Sequence, residues 1–120
     1  MQGKRPGLPI NAYFVQLNIL NQTDKAMIIV QIEHEVLNFE GWKKAFESDP
    51  INRKKAGVSH YRIFQRVDNP NFVVIDLEFD DLTRAQNTVT ALKNLWERVD
   101  GKIMVNPQVR MLNLVESADI

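Results

Sequence analysis

The stretch Val58-Ser-His-Tyr-Arg-Ile-Phe-Gln-Arg-Val67, Asp68-Asn69-Pro70-Asn71, Phe72-Val-Val-Ile-Asp-Leu-Glu-Phe79 decides the fold. Two runs rich in β-branched and aromatic residues flank a cluster of turn formers, so the segment reads as a β-hairpin. A helical pattern lies on each side of it. Upstream, Asn38 can cap a helix whose apolar positions Phe39, Trp42 and Phe46 recur at intervals of three and four, with Ala45 beside them. Pro50 interrupts that helix. Asp49 as a new N-cap, Pro50 at the first helical position and Gly57 as a stop would restart a short second one carrying Ile51, Arg53 and Ala56. Downstream, Asp80 or Asp81 can cap a long helix with the stripe Ala85, Val89, Leu92, Leu95, Trp96 and Val99, and Gly101 supplies its end.

Further strand patterns lie outside both helices. From Met27 to Val36, Ile28, Val30, Ile32 and Val36 alternate with Gln31, Glu33 and Glu35, and His34 falls on the apolar side. Beyond an Asn106-Pro107 loop, Val109 to Glu116 alternates again. The order is therefore βαββαβ. This predicts a ferredoxin-like α+β domain over residues 27–120, with a four-stranded antiparallel sheet and both helices on one face.

Residues 1–26 read differently, as a basic Gly- and Pro-containing start, an apolar-leaning run from Ala12 to Leu20 and a polar Asn21–Lys25. The run is too short for a membrane span, and Gln16 and Asn18 spoil it as a signal peptide. An arm that adds an edge strand or packs on a partner subunit is the expectation, in a cytoplasmic protein with no membrane partner.

Composition removes several classes of chemistry. The chain has 120 residues, enough to bury a core without covalent staples. It has no cysteine, which excludes a thiol nucleophile, a disulfide framework and cysteine-held metal centres. Fifteen basic residues balance fifteen acidic ones, which argues against nucleic acid as a partner. No glycine-rich phosphate loop, Ser-His-Asp order or paired catalytic carboxylate motif is present. His34 and His60 lie on different strands without metal-ligand spacing, so neither a metal site nor a cofactor is expected.

Two helices cover one face of a sheet. The row Val73, Ile75, Leu77 and Phe79 must be covered whichever face it occupies, and Phe72 and Val74 add apolar area on the other. A homodimer with two sheets facing each other is the expectation. The register that would allot each row to a face is not readable from one sequence.

The run His34-x-Val36-x-x-Phe39-x-x-Trp42-Lys43-x-x-Phe46, with Arg53 and Gly57 after it, resembles small bacterial proteins of the dimeric α+β barrel superfamily. So does Arg66-x-Asp68-Asn69-Pro70-Asn71-x-Val73-Val74 running into Glu78-Phe79-Asp80-Asp81-Leu82. Across residues 27–116 the chain is similar to the antibiotic biosynthesis monooxygenase family and to cyclase-like members of that superfamily. The resemblance implies a homodimer and a reaction on a small organic molecule, among them cofactor-independent oxygenation, isomerisation and polyketide cyclisation. It also takes in haem-degrading enzymes, stress-responsive proteins and ligand-binding regulator domains. The haem-degrading members hold iron through a histidine on the second helix, and Leu82–Val99 contains none.

Seven residues are candidates for a site. His34, in its apolar row, can act as a general base toward an acidic C–H or O–H, or be a buried histidine bonded to backbone. Trp42, Phe46 and Trp96 can wall a pocket for a flat apolar ligand, or pack the core. Arg53 can reach a ligand oxyanion with its planar donor fork, or lie solvated beside Lys54 and Lys55. His60 and Arg62 share a strand face and so can share a site, while Arg62 and Arg66 can equally pair with Asp76 or Glu78. The reading is a small-molecule-binding homodimer acting on an aromatic or polyketide-like compound, with His34 as base and Arg53 or Arg62 as anion stabiliser. Its rival is a non-catalytic binding or stress-response module of the same fold.

Overall fold

A computed structural model describes residues 27–99 and 104–120. The N-terminal arm and the Gly101 helix end lie outside the described residues. The element order is β1 (Ile28–Val36), α1 (Phe39–Glu47), α2 (Arg53–Ala56), β2 (His60–Arg66), β3 (Asn69–Phe79), α3 (Leu82–Val99) and β4 (Met104–Asn113). The strands form one sheet in the order β2-β3-β1-β4, antiparallel at every joint. This is the ferredoxin-like α+β arrangement that the element order predicts.

Register settles the faces. Ile32 of β1 stands opposite Ile75 of β3 and Val109 of β4, and Ile63 of β2 stands opposite Ile75. One transverse apolar row therefore crosses all four strands. With Val30, Leu77, Val73, Phe79 and Ile28 it forms the floor on which Trp42, Ala85, Leu92 and Trp96 of the helices pack. Burying each large side chain of this set stabilises the fold by roughly 1.5–3 kcal/mol. The Val73-Ile75-Leu77-Phe79 row is thus covered by the chain's own helices. Its burial does not by itself call for a second copy, which removes that part of the case for a dimer.

Local chemistry explains the ends of the elements. The Asn38 side chain accepts from the Gly41 N–H at 2.8 Å and opens α1. Asp81, rather than Asp80, caps α3 by accepting from the Arg84 N–H at 3.1 Å. The second short helix starts later than the sequence suggests. Its cap is Asn52, which accepts from the Lys55 N–H at 3.3 Å, while Pro50 sits in the preceding turn. Asp49 and Asn52 both take left-handed backbone, with φ of 57° and 56°, and a short polar side chain tolerates this through local hydrogen bonds. Gly57 ends α2 at φ 104°.

β4 also departs from expectation. Asn106-Pro107 lies inside the strand, not in a loop before it, and the regular strand ends at Asn113. Asn106 has φ 55° and the pairing with β1 shifts between Glu33 and Glu35. That is a bulge on an edge strand, a place where proline's missing N–H costs no ladder bond.

Candidate functional site

Between the helices and the sheet lies a cavity of about 250 Å³. Even-numbered positions of β1 face it, which brings Ile32 and His34, and β3 adds Ile75 and Leu77. Helix α1 supplies Trp42, Ala45 and Phe46; α3 supplies Leu92, Leu95, Trp96 and Val99; Met104 of β4 closes one side. Ser48, Pro50, Ile51 and Arg53 come from the α1–α2 turn and the start of α2. An apolar cavity of about 150 Å³ admits benzene, so this one has room for about two fused rings.

The walls are aromatic by construction. Trp42 stacks at a tilt between Phe39 and Phe46, with centroids 5.8 and 5.3 Å away, and His34 lies 5.5 Å from Trp42. Residues three and four apart on α1 share the face turned to the sheet, which is why the spacing read in the sequence becomes one continuous wall.

His34 is 2% exposed. Its Nδ1 lies 3.1 Å from the Glu35 carbonyl oxygen. A carbonyl only accepts, so the network assigns the proton to Nδ1 and leaves the Nε2 lone pair bare. Among the described residues Nε2 has no hydrogen-bond partner. Burial pushes the imidazole below its ordinary value of 6.5, against a smaller upward pull from the Glu35 hydrogen bond. The ring is therefore neutral at pH 7, a base with a free lone pair in an apolar cavity.

Arg53 is held from three sides. Nη1 donates to the Phe46 carbonyl at 2.8 Å and lies 3.3 Å from the Asp49 carboxylate. Its guanidinium carbon sits 3.9 Å from the Phe46 ring centroid and 5.1 Å from that of Tyr61. Nε and Nη2 keep their N–H groups without a partner among the described residues. The charge is fixed in place and part of its donor fork is free for an oxyanion.

Five of the seven residues singled out by sequence, His34, Trp42, Phe46, Arg53 and Trp96, line this one cavity. His60 and Arg62 do not. Both project from the face opposite the helices, because even-numbered β2 residues pair in register with Glu78 and Asp76, whose odd-numbered neighbours floor the core. Arg62 is instead the end of a polar line that crosses all four strands on that outer face. Arg62 Nη2 lies 3.4 Å from Asp76, Gln31 Nε2 donates to Asp76 at 3.0 Å, and Arg110 Nη1 donates to Gln31 Oε1 at 2.7 Å. Arg110 also lies 3.4 Å from Glu33. Arg66 pairs with Asp68 in the turn rather than across the hairpin. His60 borders an outer cleft with Asp49, Arg53, Lys54 and Tyr61. Leu95 and Val99 belong to the apolar stripe read in the last helix, though not as cavity walls, whereas Met104 and the Gln31–Arg110 link carried no motif and depend on sheet register.

No group of three or more potential metal-ligating side chains occurs among the described residues, and no helix there is long and apolar enough to cross a membrane. The sequence matches no protein-family model and no curated protein. The fold does have solved counterparts. Protein SO0527 from Shewanella oneidensis is similar with a TM-score of 0.54 at 17% identity, over 76% of this chain and 93% of that one. PA3566 from Pseudomonas aeruginosa is similar with a TM-score of 0.53 at 15% identity, over 78% of this chain and 97% of that one. Likeness at this identity speaks for the α+β fold alone.

Proposed function

We propose that this chain binds a flat, largely apolar organic molecule in the cavity between helices and sheet and acts on it by proton abstraction. The observation that carries the reading is His34: a buried neutral imidazole with an unpartnered Nε2, set among aromatic walls. In the step, Nε2 takes a proton from an acidic C–H or O–H of the ligand, leaving an imidazolium and an enolate or phenolate. The positive charge of Arg53, which lines the same cavity, offsets the charge that develops on oxygen. That step is common to cofactor-independent oxygenation, isomerisation and cyclisation, the reactions that the family resemblance implies. The same resemblance implies a homodimer, with the free sheet face and its exposed Phe64 turned to the second copy.

A non-catalytic binding module is favoured by one observation. Arg53 already spends Nη1 on the Phe46 carbonyl and Asp49, as a purely structural arginine does. Solvent exchange separates the two. With 2-tetralone as a two-ring probe in D2O, proton NMR should show loss of the C1 proton signal faster with protein than with buffer. His34→Gln should slow the catalysed exchange on the order of 100-fold or more. Exchange equal in His34→Gln, or none above buffer in the unmodified protein, overturns the catalytic reading and leaves the binding module.

A further inference from the structure

Among the described residues, Arg53 alone lines both the inner cavity and the outer cleft. Its guanidinium packs against both the Phe46 ring, which walls the cavity, and the Tyr61 ring, which walls the cleft, at 3.9 and 5.1 Å from their centroids. Phe46 and Tyr61 themselves meet edge to face at 5.1 Å. The two spaces thus meet at a cluster of two rings and a cation, with Nε–H and Nη2–H of Arg53 unclaimed among the described residues.

The cleft outside is basic in balance. Its one acid, Asp49, is already engaged, accepting from the Arg53 backbone N–H at 2.8 Å and facing Nη1 at 3.3 Å. Lys54 is exposed and has no ion-pair partner among the described residues, and His60 and Ser59 complete the rim. Arg53 caps the end of α1 through the Phe46 carbonyl, but the end of α2 does not account for Lys54. The Arg53 and Lys54 carbonyls at the end of α2 already accept from the Val58 and Gly57 N–H groups at 3.0 and 3.2 Å.

We propose that this cleft is the anion-binding vestibule of the inner cavity, and that the ligand is an amphipathic organic carboxylate: one or two apolar rings inside, the carboxylate outside on Arg53 and Lys54. The proposal rests on the reading of the inner cavity as a ligand site and adds the class of molecule that it takes. An arginine with free N–H groups at the end of an apolar cavity satisfies a carboxylate, and a second cation beside it raises the local anion concentration.

Isothermal titration with 2-naphthoate and with neutral 2-naphthylmethanol tests it on the full chain. The two probes share the ring system and differ in the charged group. At 20 mM salt the carboxylate is expected to bind at least tenfold tighter than the alcohol. That preference should fall threefold or more in Lys54→Gln, an exposed position where folding is not at stake, and should shrink in 500 mM salt. Equal affinities, or a preference that Lys54→Gln leaves intact, overturn the vestibule while the alcohol's binding keeps the cavity reading. Binding of neither probe overturns both.

Discussion

Replacing His34 by Leu separates a histidine retained for packing from one retained for chemistry. The imidazole buries an Nε2 acceptor with no partner among the described residues, and an unsatisfied buried acceptor costs about 1–3 kcal/mol. Removing it forfeits the Nδ1–H bond to the Glu35 carbonyl, worth about 1 kcal/mol, beside a bulge at an exposed residue where water can replace the donor. A leucine in the row of Ile32 and Val36, against Trp42, gains roughly 1 kcal/mol of apolar burial over the imidazole. The variant should therefore be more stable by about 1–3 kcal/mol at pH 7. Its advantage should widen in acid. Because the folded-state value of His34 lies below 6.5, the unfolded chain takes up the proton first. The native protein then loses stability as pH falls from about 6.5 toward that folded-state value, by at most about 1.4 kcal/mol per pH unit for one proton. His34→Leu deletes that slope. Urea unfolding at pH 7.5, 6 and 5, followed by tryptophan fluorescence, reads both effects. A variant less stable by 1 kcal/mol or more, or one with the parent's acid slope, would refute the reasoning and make His34 an ordinary packed histidine.

Asp76→Ala should cost about 1–3 kcal/mol in urea unfolding, because it strands part-buried Gln31 and removes the partner of Arg62 at the centre of the four-strand polar line; Asp76→Asn, which keeps an acceptor, should cost less than half as much. Gly57→Ala should cost about 1–2 kcal/mol from its φ of 104°, with a further loss because the new methyl would lie 2.7 Å from Arg84 Cδ; Gly57→Asn should cost less, as asparagine tolerates left-handed backbone. Sedimentation equilibrium at micromolar concentration should return about twice the 13.9 kDa chain mass, and a single 13.9 kDa species would refute the homodimer.

The fold was legible because each of its signals is local. Alternation in Ile28–Val36 marks a strand wherever that strand goes, and Asn38, Asp81 and Gly57 act on backbone groups within four residues of themselves. The misreadings share the opposite cause. Whether Pro107 interrupts β4 depends on whether the missing N–H faces a neighbour, and only the sheet order, which leaves β4 at an edge, decides it. Grouping Arg62 with His34 required knowing which parity of β2 faces the helices, and a shift of one residue would have reversed the answer. Within the site, Trp42, Phe46 and His34 were readable from spacing along one helix and one strand. Arg53 was readable only as an alternative, since its placement comes from two left-handed residues in the turn before it.

That turn is also where the fold and the proposed chemistry meet. Asp49 and Asn52 hold left-handed backbone at a cost of about 1–2 kcal/mol each, offset by the N–H groups their side chains accept from. A regular helix through this region would have carried residue 53 about 9 Å along the axis from residue 47, by the rise of 1.5 Å per residue, with its side chain on a continuous helical face. The break instead folds Arg53 back until Nη1 reaches the Phe46 carbonyl at the end of α1. The carbonyls at a helix C-terminus are the partly negative end of its dipole, and a cation there is favoured whether or not a ligand is present. The arginine is therefore held beside the cavity before any anion arrives, so an incoming carboxylate meets a donor fork already in place and loses little to its ordering. On the proposed reading, the backbone strain of this turn preorganises the cation that, among the described residues, the inner cavity and the outer cleft have in common.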